Sequence, residues 1–217
     1  MATTPATLLF TAGDLADPAR EDEFTRWYDG RHVPQRRALP GFLSARGWQA
    51  VDGGPKFMAL YELESPDAMK TEAYQALRVP PVQTDEDKAM VGLFTNPLRS
   101  LMTEIASAGL PEVPAVEVGG LLVVALQPEP GYEEAFHAWY NTEHINQMIG
   151  LPGVVGARRY VCEEQKPKYL AWYDVADEHF EPGPAFQEIV ANPTPWWGEY
   201  CLESLRSGQP ETAHRLP

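Results

Sequence analysis

The chain has 217 residues, in which 17 Lys and Arg face 31 Asp and Glu for a net charge of −14. So acidic a surface repels phosphate backbones and argues against nucleic acid as a partner, while 44% hydrophobic and 11% aromatic residues supply apolar surface for a sizeable globular core. No apolar run approaches the ~18 residues of a membrane span, the start lacks the basic and apolar stretches of a secretory signal, and a cytoplasmic protein is expected, with Cys162 and Cys201 read as buried thiols rather than a disulfide.

In chain order, residues 7–12 are β-rich and form the first predicted strand. Asp17 then offers an N-cap with Pro18 at the first helical position, and Phe24, Trp27, Tyr28 and Arg31 fall on one face of the helix that follows. That helix has to stop before Leu39-Pro40-Gly41, which cannot extend it comfortably. Strands are predicted at 43–51 and 56–64 across Asp52-Gly53-Gly54, a second helix after the Ser65-Pro66-Asp67 cap, and a final strand at 98–105. The order then recurs: a strand at 120–127, a helix opening near Tyr132 and ending before Leu151-Pro152-Gly153, strands at 155–162 and 168–175, a helix within 181–191 and a strand at 200–206.

The recurrence is literal at a constant displacement of 112 residues, with Trp27-Tyr28 over Trp139-Tyr140, His32 over His144, Ala45-Arg46 over Ala157-Arg158 and Tyr61 over Tyr173. The chain therefore reads as two copies of one unit, residues 1–106 and 118–217, joined by a linker at 107–117 that holds Gly109, Pro111 and Pro114. The expected fold class is α+β: two ferredoxin-like β-α-β-β-α-β repeats. Phe57-Met58-Ala59-Leu60-Tyr61 and Tyr169-Leu170-Ala171-Trp172-Tyr173 are apolar on both faces, so each antiparallel sheet needs cover on its second face. The expected cover is the other repeat, the two sheets packing into an α+β barrel with the helices outside.

Trp139-Tyr140-Asn141-Thr142-Glu143-His144-Ile145, followed by Leu151-Pro152-Gly153 and Ala157-Arg158-Arg159-Tyr160, resembles the EthD-like branch of the dimeric α+β barrel superfamily. The first copy matches as Trp27-Tyr28-Asp29-Gly30-Arg31-His32-Val33-Pro34 and Leu39-Pro40-Gly41-Phe42. The resemblance covers most of both halves and implies the barrel fold. It says less about reaction, because that superfamily hosts cyclases, dehydratases, lactone isomerases, cofactor-free monooxygenases and heme proteins.

His144 and His32 are the leading candidates for acid-base chemistry, since an imidazole beside an apolar cavity exchanges a proton near neutral pH; the resemblance to dehydratase-like members implies the same role. The alternative is that each histidine caps its helix C-terminus. Tyr140 and Tyr28, four residues earlier and hence on the same helix side, either orient the imidazole and donate to an oxyanion or simply sit in the core. Arg158 and Arg46 either bind an anionic group or pair with a neighbouring carboxylate. Between the copies Asp29 becomes Asn141 and Arg31 becomes Glu143. Glu143 is expected to raise the basicity of His144, and Arg31 to depress that of His32. His144, with the fuller motif, ranks first. Trp48, Tyr61, Tyr160, Tyr173, Trp196 and Trp197 are candidates for the wall of a substrate cavity or for core packing, Trp196-Trp197 more for a rim.

Glu134 and His137 have metal-ligand spacing but no counterpart in the first copy, and read as a solvated helix face. The expected function is a cofactor-independent lyase or isomerase, of dehydratase or cyclase type, acting on a small hydrophobic aromatic or polyketide-like carbonyl compound. The alternatives are heme binding or cofactor-free oxygenation, and a non-catalytic, stress-associated small-molecule-binding protein. No metal is expected, and a homodimer of the tandem unit is one expected assembly.

Overall fold

The computed structural model describes residues 7–50, 55–109, 118–128, 130–164, 168–177, 180, 183–191 and 212–216. The chain divides into two compact units, Met1–Glu104 and Ile105–Pro217.

In unit one, β1 (Thr7–Leu15) leads through a 3-10 turn capped by Asp17 into α1 (Glu21–Trp27). A π-helical turn, Tyr28–His32, follows without a break and runs on into α2 (Val33–Arg37). After β2 (Phe42–Gln49) and β3 (Phe57–Leu63), Ser65 caps a 3-10 turn, Pro66–Lys70, and α3 (Glu72–Ala76) completes the expected second helix. The sequence reading had no helix at α4 (Asp85–Val91), although Thr84 and Asp87 form a capping box there. The unit closes on β4 (Phe94–Ala108), whose last residues belong to unit two. The strands are ordered β2-β3-β1-β4, with β3 and β4 both antiparallel to β1. This is the ferredoxin-like arrangement, with fourth and second strands at opposite edges.

Unit two repeats the plan with β5 (Gly120–Leu126), α5 (Glu133–Trp139), a π turn at Tyr140–His144, α6 (Ile145–Ile149), β6 (Val154–Val161), β7 (Tyr169–Val175) and α7 (Gly183–Ala191). The fourth-strand position beside β5 is filled by β8 (Thr212–Leu216), giving β6-β7-β5-β8. The strand expected at 200–206 lies outside the described residues, as does Cys201; Cys162 is a buried free thiol.

The two Leu-Pro-Gly stops work in the same way. Gly41 and Gly153 turn the chain from helix to strand at φ +80° and +90°, a region that favours glycine, and a Cβ on Gly41 would press to 2.8 Å from the Ala68 Cβ. Each next strand then carries a bulge, between Phe42 and Ser44 and between Val154 and Gly156.

Strand alternation sets what faces the helices. In unit one Phe57, Ala59, Tyr61 and Leu63 of β3 join Phe24, Trp27, Tyr28 and Val33 in one core; in unit two Tyr169, Ala171, Tyr173 and Val175 join Phe136, Trp139, Tyr140 and Ile145. The alternate residues, Met58 and Leu60 in β3 and Leu170 and Trp172 in β7, are buried as well, so both strands are apolar on both faces for a reason.

Candidate functional site

The π turns place the histidines. In each, the N–H of the residue after the histidine reaches back five positions, Val33 to the Tyr28 carbonyl and Ile145 to the Tyr140 carbonyl. In a straight α-helix, residues five apart point about 140° away from each other. The wider turn brings them together: the His32 ring lies 4.6 Å from Trp27 and stacks at 5.0 Å on Tyr28, and His144 lies 4.6 Å from Trp139 and 4.8 Å from Tyr140. Neither histidine is a helix C-cap, because α2 and α6 continue for another turn.

Around His32 the unit-one core opens into a cavity of about 420 Å³ between sheet and helices. Its walls include Phe24, Trp27, Tyr28, Tyr61 and Phe94, with Thr11 on the sheet side. Tyr28 bonds to Thr11 and interacts with Tyr61, but the Tyr61 hydroxyl makes no hydrogen bond of ordinary geometry despite being buried. Burial first, then the neighbouring Tyr28, pushes the Tyr61 phenol well above its usual range, so the hydroxyl remains a proton donor at neutral pH. Burial also takes His32 well below 6.5, helped by Arg36 and opposed by Asp87. The charged neighbour that depresses His32 is therefore Arg36; Arg31 instead forms a two-pronged bridge to Asp87 at 2.8 and 2.9 Å. Arg36 donates to the His32 carbonyl at 2.9 Å.

Unit two builds a different centre from the matching positions. Tyr140 and Tyr173 share a 2.5 Å hydroxyl–hydroxyl hydrogen bond. Arg159, 1% exposed, lays its guanidinium 3.9 Å from the Tyr140 ring centre and donates to Asn141 Oδ1. Gly47 is the matching residue in unit one, where a Cβ would already stand 3.1 Å from Asp29 Oδ1. Arg159 Nη2, His144 Nδ1 and Glu143 Oε2 are buried without hydrogen-bond partners. His144 is pushed down to about 4, by burial first and then by Arg159, against a raising contact from Gln147. Contrary to expectation His144 is less basic than a free imidazole, lowered by desolvation and then by the buried Arg159 cation, and the one raising contact is from Gln147 rather than Glu143.

Two consequences are measurable. As pH falls the unfolded chain protonates His144 first, so its contribution to stability is full above 6.5 and drains toward 4, a loss on the order of 3 kcal/mol. Arg159→Met is expected to raise the His144 midpoint toward, but not to, 6.5, since burial remains. An NMR titration of the ring checks this; an unmoved midpoint would show that His144 does not feel Arg159.

The other sequence candidates separate by strand face. Arg46 and Trp48 alternate with Ala45 and Gly47 on β2, and Arg158 and Tyr160 with Ala157 and Arg159 on β6, so all four point away from the helices and the histidines. Arg158 takes the commoner of its two options, pairing with Asp174 at 3.0 Å under Trp172. Arg46 is exposed. Asp29 is also exposed, beside Gly47, and burial raises its carboxyl pKa. Trp196 and Trp197 lie outside the described residues. His137 packs edge-on against Tyr169 at 4.7 Å, and no cluster of three His, Cys, Asp or Glu stands ready for a metal among the described residues. The residues that the sequence reading missed are Arg36, Arg99 and Tyr74 at the cavity and Arg159 in unit two. Arg159 was findable: period-two alternation puts it with Ala157 and Val161 on the inward face.

No protein-family model matches the chain, and no curated protein is significantly similar. Solved structures do match over nearly the whole length. An anthrone oxidase-like protein superposes with a TM-score of 0.62 at 9% identity, covering 100% of this chain and 92% of the other. A monooxygenase-like protein from Listeria innocua gives 0.53 at 10%, with 99% and 95% covered. A ferredoxin fold protein related to antibiotic biosynthesis monooxygenases, from Listeria monocytogenes 4b F2365, gives 0.51 at 11%, with 99% and 96% covered. At such identities the likeness is one of fold, a ferredoxin-like α+β fold. No described helix is long and apolar enough to cross a membrane.

Proposed function

We propose that the chain is a cofactor-independent enzyme that removes a proton beside a carbonyl on an aromatic or polyketide-like substrate held in the unit-one cavity. One observation carries this reading: the His32 imidazole stacks on Tyr28 in a cavity that also contains the buried Tyr61 hydroxyl, with burial lowering the His32 pKa and raising that of Tyr61. His32 takes the proton as general base. Tyr61 and Tyr28 donate to the oxygen on which negative charge collects. The imidazolium then returns its proton to another carbon of the enolate, giving an isomer, or to a leaving hydroxyl, giving an alkene and water. This reading ranks His32 ahead of His144. The shared element order, π turns and bulges further support descent of both units from one EthD-like ancestor.

A second reading is favoured by the anthrone oxidase-like and monooxygenase-like fold neighbours. The same carbanion meets dioxygen, and a methylene plus O2 becomes a carbonyl plus water.

Anthrone and 2-tetralone, incubated with the protein in D2O, test the common first step. Enzyme-dependent deuterium incorporation, at C10 of anthrone, which is conjugated with the carbonyl through the rings, and at the carbons beside the 2-tetralone carbonyl, absent in His32→Ala, is expected, and oxygen uptake measured in parallel separates the two readings. Bound ligand with neither exchange nor uptake would leave a non-catalytic binding protein. A stoichiometric Soret band on hemin titration, lost in His32→Ala, would replace proton abstraction by heme chemistry.

A further inference from the structure

We propose that the rim of the unit-one cavity is a carboxylate subsite formed by Arg78 and Arg99 with Arg36 deeper in, so that the ligand is an aromatic acid; this rests on the cavity being the substrate site. The chain carries 31 acidic residues against 17 Lys and Arg, yet the cavity is lined by three arginines and no Asp or Glu. Arg20, Arg31 and Arg158 each have a carboxylate partner within 4 Å, but among the described residues these three arginines have none. Glu72, in the groove next to Arg78, makes no ion pair with it.

The three arginines come from separate elements. Arg99 lies opposite Thr11 in the β1–β4 ladder, on the face toward the helices, and donates to the buried Tyr74 hydroxyl at 3.0 Å and to Met69 Sδ at 3.3 Å. Arg36 is on α2, with one N–H spent on the His32 carbonyl, and Arg78 follows α3. A guanidinium has five N–H donors in a planar fork, so among the described residues most of the donors at the rim have no protein acceptor. A planar carboxylate accepts two of them at once. Held by Tyr74, Arg99 is already oriented, which reduces the ordering cost of binding. Arg78 and Arg99 are exposed while Arg36 is half-buried. In a chain of net charge −14, an acid-free cationic rim is also the local field that admits an anionic ligand.

Quenching of Trp27 and its neighbours on titration reads the subsite with three probes: 1-naphthol, 1-hydroxy-2-naphthoate and 1-naphthyl phosphate. We expect the carboxylate to bind at least about tenfold tighter than the naphthol, and Arg78→Gln with Arg99→Gln to remove that preference, each costing roughly tenfold. The paired lysine variants should restore part of it, which excludes simple misfolding, and naphthol affinity should stay within about twofold throughout. Equal binding of naphthol and naphthoate, or a preference that survives both Gln substitutions, overturns the subsite alone. Tighter binding of the phosphate than of the carboxylate overturns its assignment to aromatic acids. If none of the probes binds, the cavity is not the substrate site and both readings fall. Loss of deuterium exchange in His32→Ala with the naphthoate preference intact would support both.

Discussion

His32→Ala is expected to lower turnover by about 10²–10⁴-fold, the range for a positioned general base, while the protein stays folded and binds ligand. The ring packs on Trp27 and Tyr28 and lines the cavity, so its loss trims the cavity wall without opening the sheet. His144→Ala is the control, because His144 belongs to unit two and does not line the unit-one cavity. Turnover that survives His32→Ala and disappears in His144→Ala would move the chemistry to unit two. The pH profile adds a second check: with His32 taken well below 6.5 by burial and Arg36, the acid limb of kcat/KM should fall below 6.5 and move up toward it in Arg36→Gln. Tyr61→Phe should cut kcat by about 10–10² with little change in KM if its hydroxyl meets charge only in the transition state. It should change stability little, since the buried hydroxyl that it removes makes no hydrogen bond of ordinary geometry and interacts chiefly with Tyr28.

β1 to β7 were legible because each leaves a local trace, an apolar run of strand length with turn residues beside it; β8 (Thr212–Leu216) was not, the last strand being expected at 200–206. The expected burial of both faces of β3 and β7 followed from the same runs, and Met58, Leu60, Leu170 and Trp172 are all within 3% exposed. The π turns were not legible. Trp-Tyr-x-x-x-His scans as ordinary helical spacing, and only the extra residue per turn decides that Trp27 and Trp139 also meet the histidines. Strand parity was available but unused, and it would have turned Arg46 and Arg158 away from the site and pointed Arg159 into it. Electrostatic balance was the least legible. Arg31 lies next to His32 in sequence yet serves Asp87, a residue 56 positions away, while Arg36, one helical turn on, sets the field at the ring.

Asp87→Ala is expected to cost about 1–3 kcal/mol, the range for leaving a buried donor such as the Trp27 indole N–H without its acceptor, because Arg31 is a third exposed and water can take over its guanidinium. Asp87, 6% exposed, is where the α4 helix is tied to α1 and the π turn. Its carboxylate accepts from Trp27 Nε1 at 2.9 Å, from both prongs of Arg31 and from the Thr84 backbone N–H at 2.8 Å. Alanine leaves the indole N–H, the guanidinium and the first turn of α4 without their acceptor at once, and urea unfolding should show the midpoint fall. Asp87→Asn keeps the shape and one acceptor and should lose less. Arg31, first among the causes, holds the carboxyl far below its ordinary 3.8. A depressed folded value means that the stabilisation is complete above about 3.8 and drains as pH falls below it. The wild type should therefore lose stability in that acid range more steeply than Asp87→Asn. The tie also bears on the cavity, whose wall includes Trp27 at the end of α1, Gln83 just before α4 and Val91 at the end of α4. Ligand affinity should fall with stability in Asp87→Ala, and an alanine variant as stable and as tight-binding as wild type would show that α4 is held by its apolar contacts instead.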